Sequence, residues 1–206
     1  ERIELIGAAV RANPVLSNAF EGGLGSEISV FWRDERGVPK KMRADKMKIR
    51  ATLDLKTISP SREMPFETAC LRHIASFRYD MQACHYNEGR AQMKALCAAG
   101  KVYGPHDRDM LRQVVAEPTW AFVIVFVKRT GAPLTYACQM SHTIADPKDM
   151  ARSFRNPVLD LAAKSIGKAE DNYLEFLEKF GLETPWLIHP PLMELSVEDL
   201  PAWYGR

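Results

Sequence analysis

Residues 27–57 read EISVFWRDERGVPKKMRADKMKIRATLDLKT, and the fold of the chain turns on this stretch. Positions 27–32 alternate and are rich in β-branched and aromatic residues, the pattern of a half-buried strand. A turn falls at 34–39, around Gly37 and Pro39, and a second strand begins at 41–45. After a charged reversal, 51–57 forms a third. Three short strands joined this closely predict an antiparallel meander with one face wetter than the other. Within it, Asp54 and Lys56 are two apart and share a face, while Leu53 and Leu55 point to the core. A turn between Asp45 and Asp54 brings their carboxylates together.

Working outward, Ile3, Ile6, Ala9 and Val10 sit at helical spacing before a stop near Asn13 and Pro14. Residues 21–25, with three glycines, break the chain ahead of the first strand. Downstream, two prolines mark 59–65 as a loop, and Phe66, Ala69, Cys70, Ile74, Phe77, Met81 and Cys84 predict a helix ended by Gly89. Two shorter helices follow at 90–99 and 107–115. Residues 120–128 are apolar on both faces and read as a buried strand, with another at 134–139. Residues 146–180 read as largely helical, broken near Asn156 and Pro157, and the tail from 183 carries four prolines and wraps the surface. The pattern is α/β (α+β), a single domain over 1–206 with a mixed sheet flanked by helices.

Composition narrows the function classes. The chain has 206 residues, 46% hydrophobic and 26% charged, ordinary for a soluble globular protein. Its longest apolar run, 120–127, is far short of the ~20 residues a membrane helix needs. Residues 1–20 are amphipathic and lack the basic end and apolar block of a secretory signal. Disorder, collagen and coiled coil are excluded on the same reading. Cys70, Cys84, Cys97 and Cys138 form no CxxC pair, which reads as free thiols in a reducing cytoplasm. Net charge is +2, yet 36–56 carries eight Lys or Arg against Asp45 and Asp54, a net of +6. That segment predicts a local surface for a polyanion.

Two acids and a lysine on one patch suit metal-dependent phosphodiester hydrolysis. Mg²⁺ prefers oxygen ligands and keeps several waters, and a bound ion lowers the pKa of a water that lysine can orient. An isolated DxK triplet is more often a surface ion-pair patch, so its surroundings decide. Glu27 lies on the preceding strand. Tyr79, Gln82 and Tyr86, at i, i+3 and i+7, line one stripe of the following helix, where they are either core residues or face the site.

The order Glu27, Asp45, Asp54-Leu55-Lys56, then Gln82-x-x-x-Tyr86 resembles the RecB-like branch of the PD-(D/E)xK nuclease superfamily. Within it, the stretches SEISVFW (26–32), MRAD (42–45), LDLKT (53–57), YDMQACHY (79–86), FVIVFVKRTGAP (122–133) and LPAW (200–203) look most like the RecE (exonuclease VIII) catalytic domain of phages and prophages. The resemblance implies a restriction-endonuclease-like fold and a Mg²⁺-dependent exodeoxyribonuclease. Such an enzyme digests one strand of double-stranded DNA 5′→3′ from an end, in phage-type recombination. It implies Asp45, Asp54 and the Leu55 carbonyl as ligands of Mg²⁺ or Mn²⁺. Lys56 would serve the attacking water and Glu27 would assist, with Gln82 and Tyr86 orienting the site. Arg43, Lys46, Lys48 and Tyr79 would contact nucleic acid. A homo-oligomeric ring, tetramer or trimer, and a single-strand annealing partner are also implied. The alternatives are a restriction or junction-cleaving endonuclease, or a non-catalytic DNA-binding protein with a vestigial site. The family's metal-binding histidine lies upstream of the first strand, whereas all five histidines here follow Glu27. A fragment lacking an N-terminal helical part is the expectation, with 90–118 a helical insertion. The four cysteines all follow Lys56, which argues against the iron–sulfur cluster of some relatives.

Overall fold

Strand pairing in a computed structural model follows the meander closely. The structure describes every residue except 1, 61–62, 147–148, 185, 187–191, 193, 202 and 204–206. After helix α1 (Arg2–Ala12), strands β1 (Gly25–Arg33), β2 (Pro39–Met47) and β3 (Ala51–Ile58) pair antiparallel in turn. Helices α2 (Phe66–Ser76), α3 (Tyr79–Ala98) and α4 (Arg108–Ala116) lead to β4 (Ala121–Lys128), which runs parallel to β3. A parallel neighbour needs such a crossover, because a hairpin can only join antiparallel strands. Strand β5 (Thr135–Ser141) closes a five-stranded mixed sheet in the order β1-β2-β3-β4-β5. The architecture is a mixed sheet flanked by helices, consistent with a restriction-endonuclease-like fold.

β4 shows why its sequence is apolar throughout. Phe122, Ile124 and Phe126 enter a core formed with Ala69, Cys70, Ala83, Cys84, Leu159 and Ala162 of the helices. On its other face, Val125 and Val127 pack with Leu53, Val10 and Leu16. A third cluster lies under the β1–β2 hairpin, where Val30, Trp32, Met42 and Ala44 meet Met93 of α3 and Val114 of α4. Residues 90–118 thus pack on the domain itself.

Three local expectations fail for identifiable reasons. First, the helix does not end at Gly89. It breaks instead at Phe77–Arg78, where Arg78 is left-handed (φ 53°), and α3 then runs through Gly89 to Ala98. A Cβ at Gly89 would stand 2.8 Å from the Trp32 ring and 2.9 Å from the Met42 sulfur, so this glycine serves close helix–sheet approach. Second, Asp146 and 149–155 are not helical: β6 (Thr143–Asp146) and β7 (Asp149–Arg155) form an antiparallel ribbon before helix α5 (Pro157–Phe180). Met150 and Phe154 are four apart, a spacing that a strand and a helix satisfy equally. Third, Leu55 does not enter the core; it is 39% exposed, unlike Leu53 at 3%.

The chain divides into two units, Glu1–Glu170 and Asp171–Arg206. In the second, Tyr173 and Phe176 pack on Trp186, whose indole N–H donates to the Gly181 carbonyl at 2.6 Å. Much of the tail expected to wrap the surface, including 187–191 and 204–206, lies outside the described residues. Among those described, no helix is long and apolar enough to cross a membrane. The four cysteines are free thiols.

Candidate active site

The site forms where β2 and β3 part. Their ladder pairs Met47 with Thr52 and Lys46 with Leu53, then stops. The next pair in that register is Asp45 with Asp54, so the two carboxyl-bearing positions stand opposite each other at the mouth of the split. Beyond it the Leu55 N–H has no β2 carbonyl, and Asp45 Oδ2 accepts it at 2.8 Å. This missing neighbour also explains why Leu55 is exposed. Arg90, buried at 3% exposure, braces the same turn: it donates to the Ile49 carbonyl and, at 3.3 Å, to Thr52 Oγ1. Its guanidinium lies 5.1 Å from the Trp120 ring, and burial pulls its pKa down to about 10.

Asp54 is only 3% exposed. Gln82 Nε2 donates to its Oδ1 at 2.6 Å, and Lys56 Nζ forms an ion pair with Oδ2 at 2.6 Å. Oδ2 is buried, and the Lys56 ammonium is its ion-pair partner. Burial raises the Asp54 pKa above its ordinary value, and the Asp45 charge adds to this; Lys56 and Gln82 pull the other way without cancelling it. Lys56 also lies over the Tyr79 ring, 5.0 Å from its centroid. Burial pushes the Tyr79 phenol up. Tyr86 donates to the Arg43 carbonyl at 2.9 Å and packs edge-on against Phe122. The i, i+3, i+7 stripe of α3 therefore meets Lys56, Asp54 and the Arg43 main chain in turn.

Glu27 falls between the ladder pairs Ser26–Lys46 and Ile28–Ala44, where the register of β1 and β2 would set it against Asp45. Its backbone is left-handed (φ 57°), uncommon for a residue with a Cβ. Its carboxylate is ion-paired with Arg43.

The expected basic surface is not formed as one piece. Lys46 is 9% exposed and does not present an open cationic face for nucleic acid. Lys48 Nζ donates to the Asn18 carbonyl at 2.6 Å, and Arg50 pairs with Glu117 at 3.0 Å. The Lys40 side chain, 7% exposed, lies among Glu170 (2.5 Å), Glu88 (2.8 Å) and Asp34 (3.4 Å). Eight cations that cluster in sequence are scattered in space because alternate strand residues face opposite ways and acids from α3 and α5 reach back to them. Arg43, with its side chain 69% exposed, remains at the surface.

Among the described residues no three His, Cys, Asp or Glu side chains gather as a metal cluster. Two carboxylates and a main-chain carbonyl are nevertheless hard oxygen donors. A buried carboxylate whose pKa is raised by burial and further by a second carboxylate fits a divalent cation whose shell waters complete. Helix α1, upstream of β1, contains no histidine. Sequence periodicity did not reveal the Asp45 bond to the Leu55 amide, which spans the strand split, or the Arg90 brace, which reaches the strands from α3, because each joins residues ten or more apart.

Comparison with known proteins bears on the superfamily and the fold. Residues 2–101 match the sequence model of a family described as a PDDEXK-like domain of unknown function. That segment spans every candidate residue from Glu27 to Tyr86, and the match supports the PD-(D/E)xK superfamily without singling out the RecE branch. No curated protein matches the chain. Among solved structures it is similar to one from Eubacterium rectale described as a "putative exonuclease", at 14% identity and a TM-score of 0.55. The likeness covers 98% of this chain and only 65% of that one, and at this identity it concerns the fold.

Proposed function

We infer that this chain is a metal-dependent nuclease of PD-(D/E)xK type. Within that class we assign it to the exodeoxyribonucleases that digest one strand of duplex DNA 5′→3′ from an end. The observation that carries the reading is the meeting of Asp54, Lys56 and Gln82 beside Asp45 at the point where the sheet opens. Polarity, a subunit ring, a cytoplasmic site of action and a partner annealing protein in phage-type recombination follow from the RecE resemblance and are proposed with it.

Asp45, Asp54 and the Leu55 carbonyl would hold Mg²⁺ or Mn²⁺. Such an ion supplies charge to polarise the scissile phosphate and acidify a water. The protein's own part is positioning. Gln82 fixes one oxygen of Asp54 and leaves the other toward Lys56. Lys56, with its side chain 25% exposed, keeps its ammonium where it can orient the attacking water and offset charge on the phosphate. Tyr79 below and Tyr86 behind hold Lys56 and β2 in place. Desolvation strengthens each of these interactions.

A second reading, a DNA-binding protein with a vestigial site, is favoured by one observation: Glu27 is engaged by Arg43. A linear duplex labelled at either end and a closed circle, each with Mg²⁺ or Mn²⁺, separate the readings. The nuclease reading expects 5′→3′ loss of label from the linear form and an intact circle. Lys56→Ala should lower the rate about 10²- to 10⁴-fold, the scale of acid–base assistance, with duplex binding in EDTA retained. Cutting of the circle means an endonuclease. No digestion of any DNA by the full-length wild-type protein means the vestigial reading.

A further inference from the structure

The outward face of the β1–β2 hairpin carries an aromatic ring left largely uncovered by the described residues. Phe31 is 66% exposed, whereas its strand neighbours Val30 and Trp32 are buried at 5% and 7%. In the ladder Phe31 stands opposite Lys41, and Ser29 opposite Arg43. With Arg33, these residues are all exposed. Three cations flank the ring, one of them, Arg43, paired with Glu27. Arg33 donates one guanidinium N–H to the Gly37 carbonyl at 2.7 Å and keeps the remainder at the surface. The backbone beneath is fixed: His85 Nε2 lies 2.9 Å from the Lys41 carbonyl oxygen, and Tyr86 holds the Arg43 carbonyl. A rigid strand face thus combines a solvated aromatic ring with positive charge.

A protein partner with an acidic surface would satisfy the cations but leave the ring unexplained. A single nucleic-acid strand satisfies both. Its bases have π-faces that stack on an aromatic ring regardless of sequence, and its phosphates meet the flanking cations. We propose that Phe31, with Lys41 and Arg33, is a stacking platform for single-stranded DNA, distinct from the metal-binding acids. The placement suits the proposed reaction. Lys41 and Asp45 are four residues apart, about 13 Å along a strand, or roughly four stacked nucleotide steps. A strand held on Phe31 therefore lies within a few nucleotides of the acids, next to Arg43 and Glu27. The use of the platform rests on the nuclease reading; the binding itself does not.

The test is fluorescence anisotropy with a fluorescein-labelled oligothymidylate in EDTA, where no digestion occurs. Phe31→Ala should weaken binding roughly five- to 150-fold, the loss of one base–aromatic stack, while Phe31→Trp preserves it. Lys41→Gln should lower the slope of log affinity against log salt by about one. Because Phe31 is largely solvent-exposed, thermal unfolding of both Phe31 variants should match that of the wild-type chain. Unchanged affinity in Phe31→Ala, or no oligothymidylate binding by the wild-type chain, overturns the proposal. So does a change in sedimentation mass of Phe31→Ala, which would make this face a contact between copies. Mg²⁺-dependent digestion is measured separately. Digestion with Phe31-independent binding removes the platform and keeps the nuclease; Phe31-dependent binding without digestion does the reverse.

Discussion

Replacing Gln82 by alanine removes one hydrogen bond from a buried charge, and its cost can be worked from the structure. Gln82 Nε2 lies 2.6 Å from Asp54 Oδ1, and Asp54 is 3% exposed, so little water is at hand to replace the amide. A hydrogen bond to a charged group contributes about 1.5–3 kcal/mol. For a chain of this size each kcal/mol moves Tm by about 2–4 °C, so Gln82→Ala should lower it by about 3–12 °C at neutral pH. The pH dependence carries a sign. Burial places the Asp54 pKa above the ordinary 3.8, so ionising this group costs folding free energy as pH rises through that window, and Gln82 offsets part of the cost. The gap between wild type and variant should be full at neutral pH and close as pH falls through the raised Asp54 value. Urea unfolding in metal-free buffer across that range measures it. Combining Gln82→Ala with Asp54→Asn in a double-mutant cycle isolates the pair. A Tm unchanged from wild type, or a gap indifferent to pH, would refute the assigned contact.

Two further predictions follow from buried groups. Lys40→Met leaves Asp34, Glu88 and Glu170 without their shared ammonium, and should cost about 3–5 kcal/mol in urea unfolding at pH 7. Burial opposes the Lys40 charge, yet the carboxylates outweigh it and raise its pKa. Its contribution should therefore persist across neutral pH and fade only above the ordinary lysine range, while acid should narrow the deficit as the carboxylates protonate. Gly89→Ala gains about 1 kcal/mol of helix propensity but drives a methyl into Trp32 and Met42. Overpacking of about 1–3 kcal/mol should outweigh that gain and blue-shift or broaden Trp32 fluorescence; a stabilised variant would contradict the close approach.

Much of the scaffold was legible because it is local. Alternation marked β1 to β3, two-sided apolarity marked β4, and the spacing of Tyr79, Gln82 and Tyr86 placed them on one stripe of α3. Each signal repeats over a few residues and needs no knowledge of distant chain. The misreadings at Gly89 and at 149–155 share a cause: a glycine or a four-residue spacing has two local meanings, and a neighbour such as Trp32 or strand β6 selects between them.

The amino-acid order alone fixed which residues could form an oxygen-rich site with an ammonium beside it, since strand and helix periods put Asp54 with Lys56 and Gln82 with Tyr86. Tertiary structure alone decided that Asp45 reaches the Leu55 amide, that Gln82 meets Asp54, and that Lys46 and Lys40 are withdrawn from the surface. Those outcomes depend on where β2 and β3 part and on which acids α3 and α5 bring back. Such closures join residues ten to more than a hundred positions apart, and no short-range pattern encodes them.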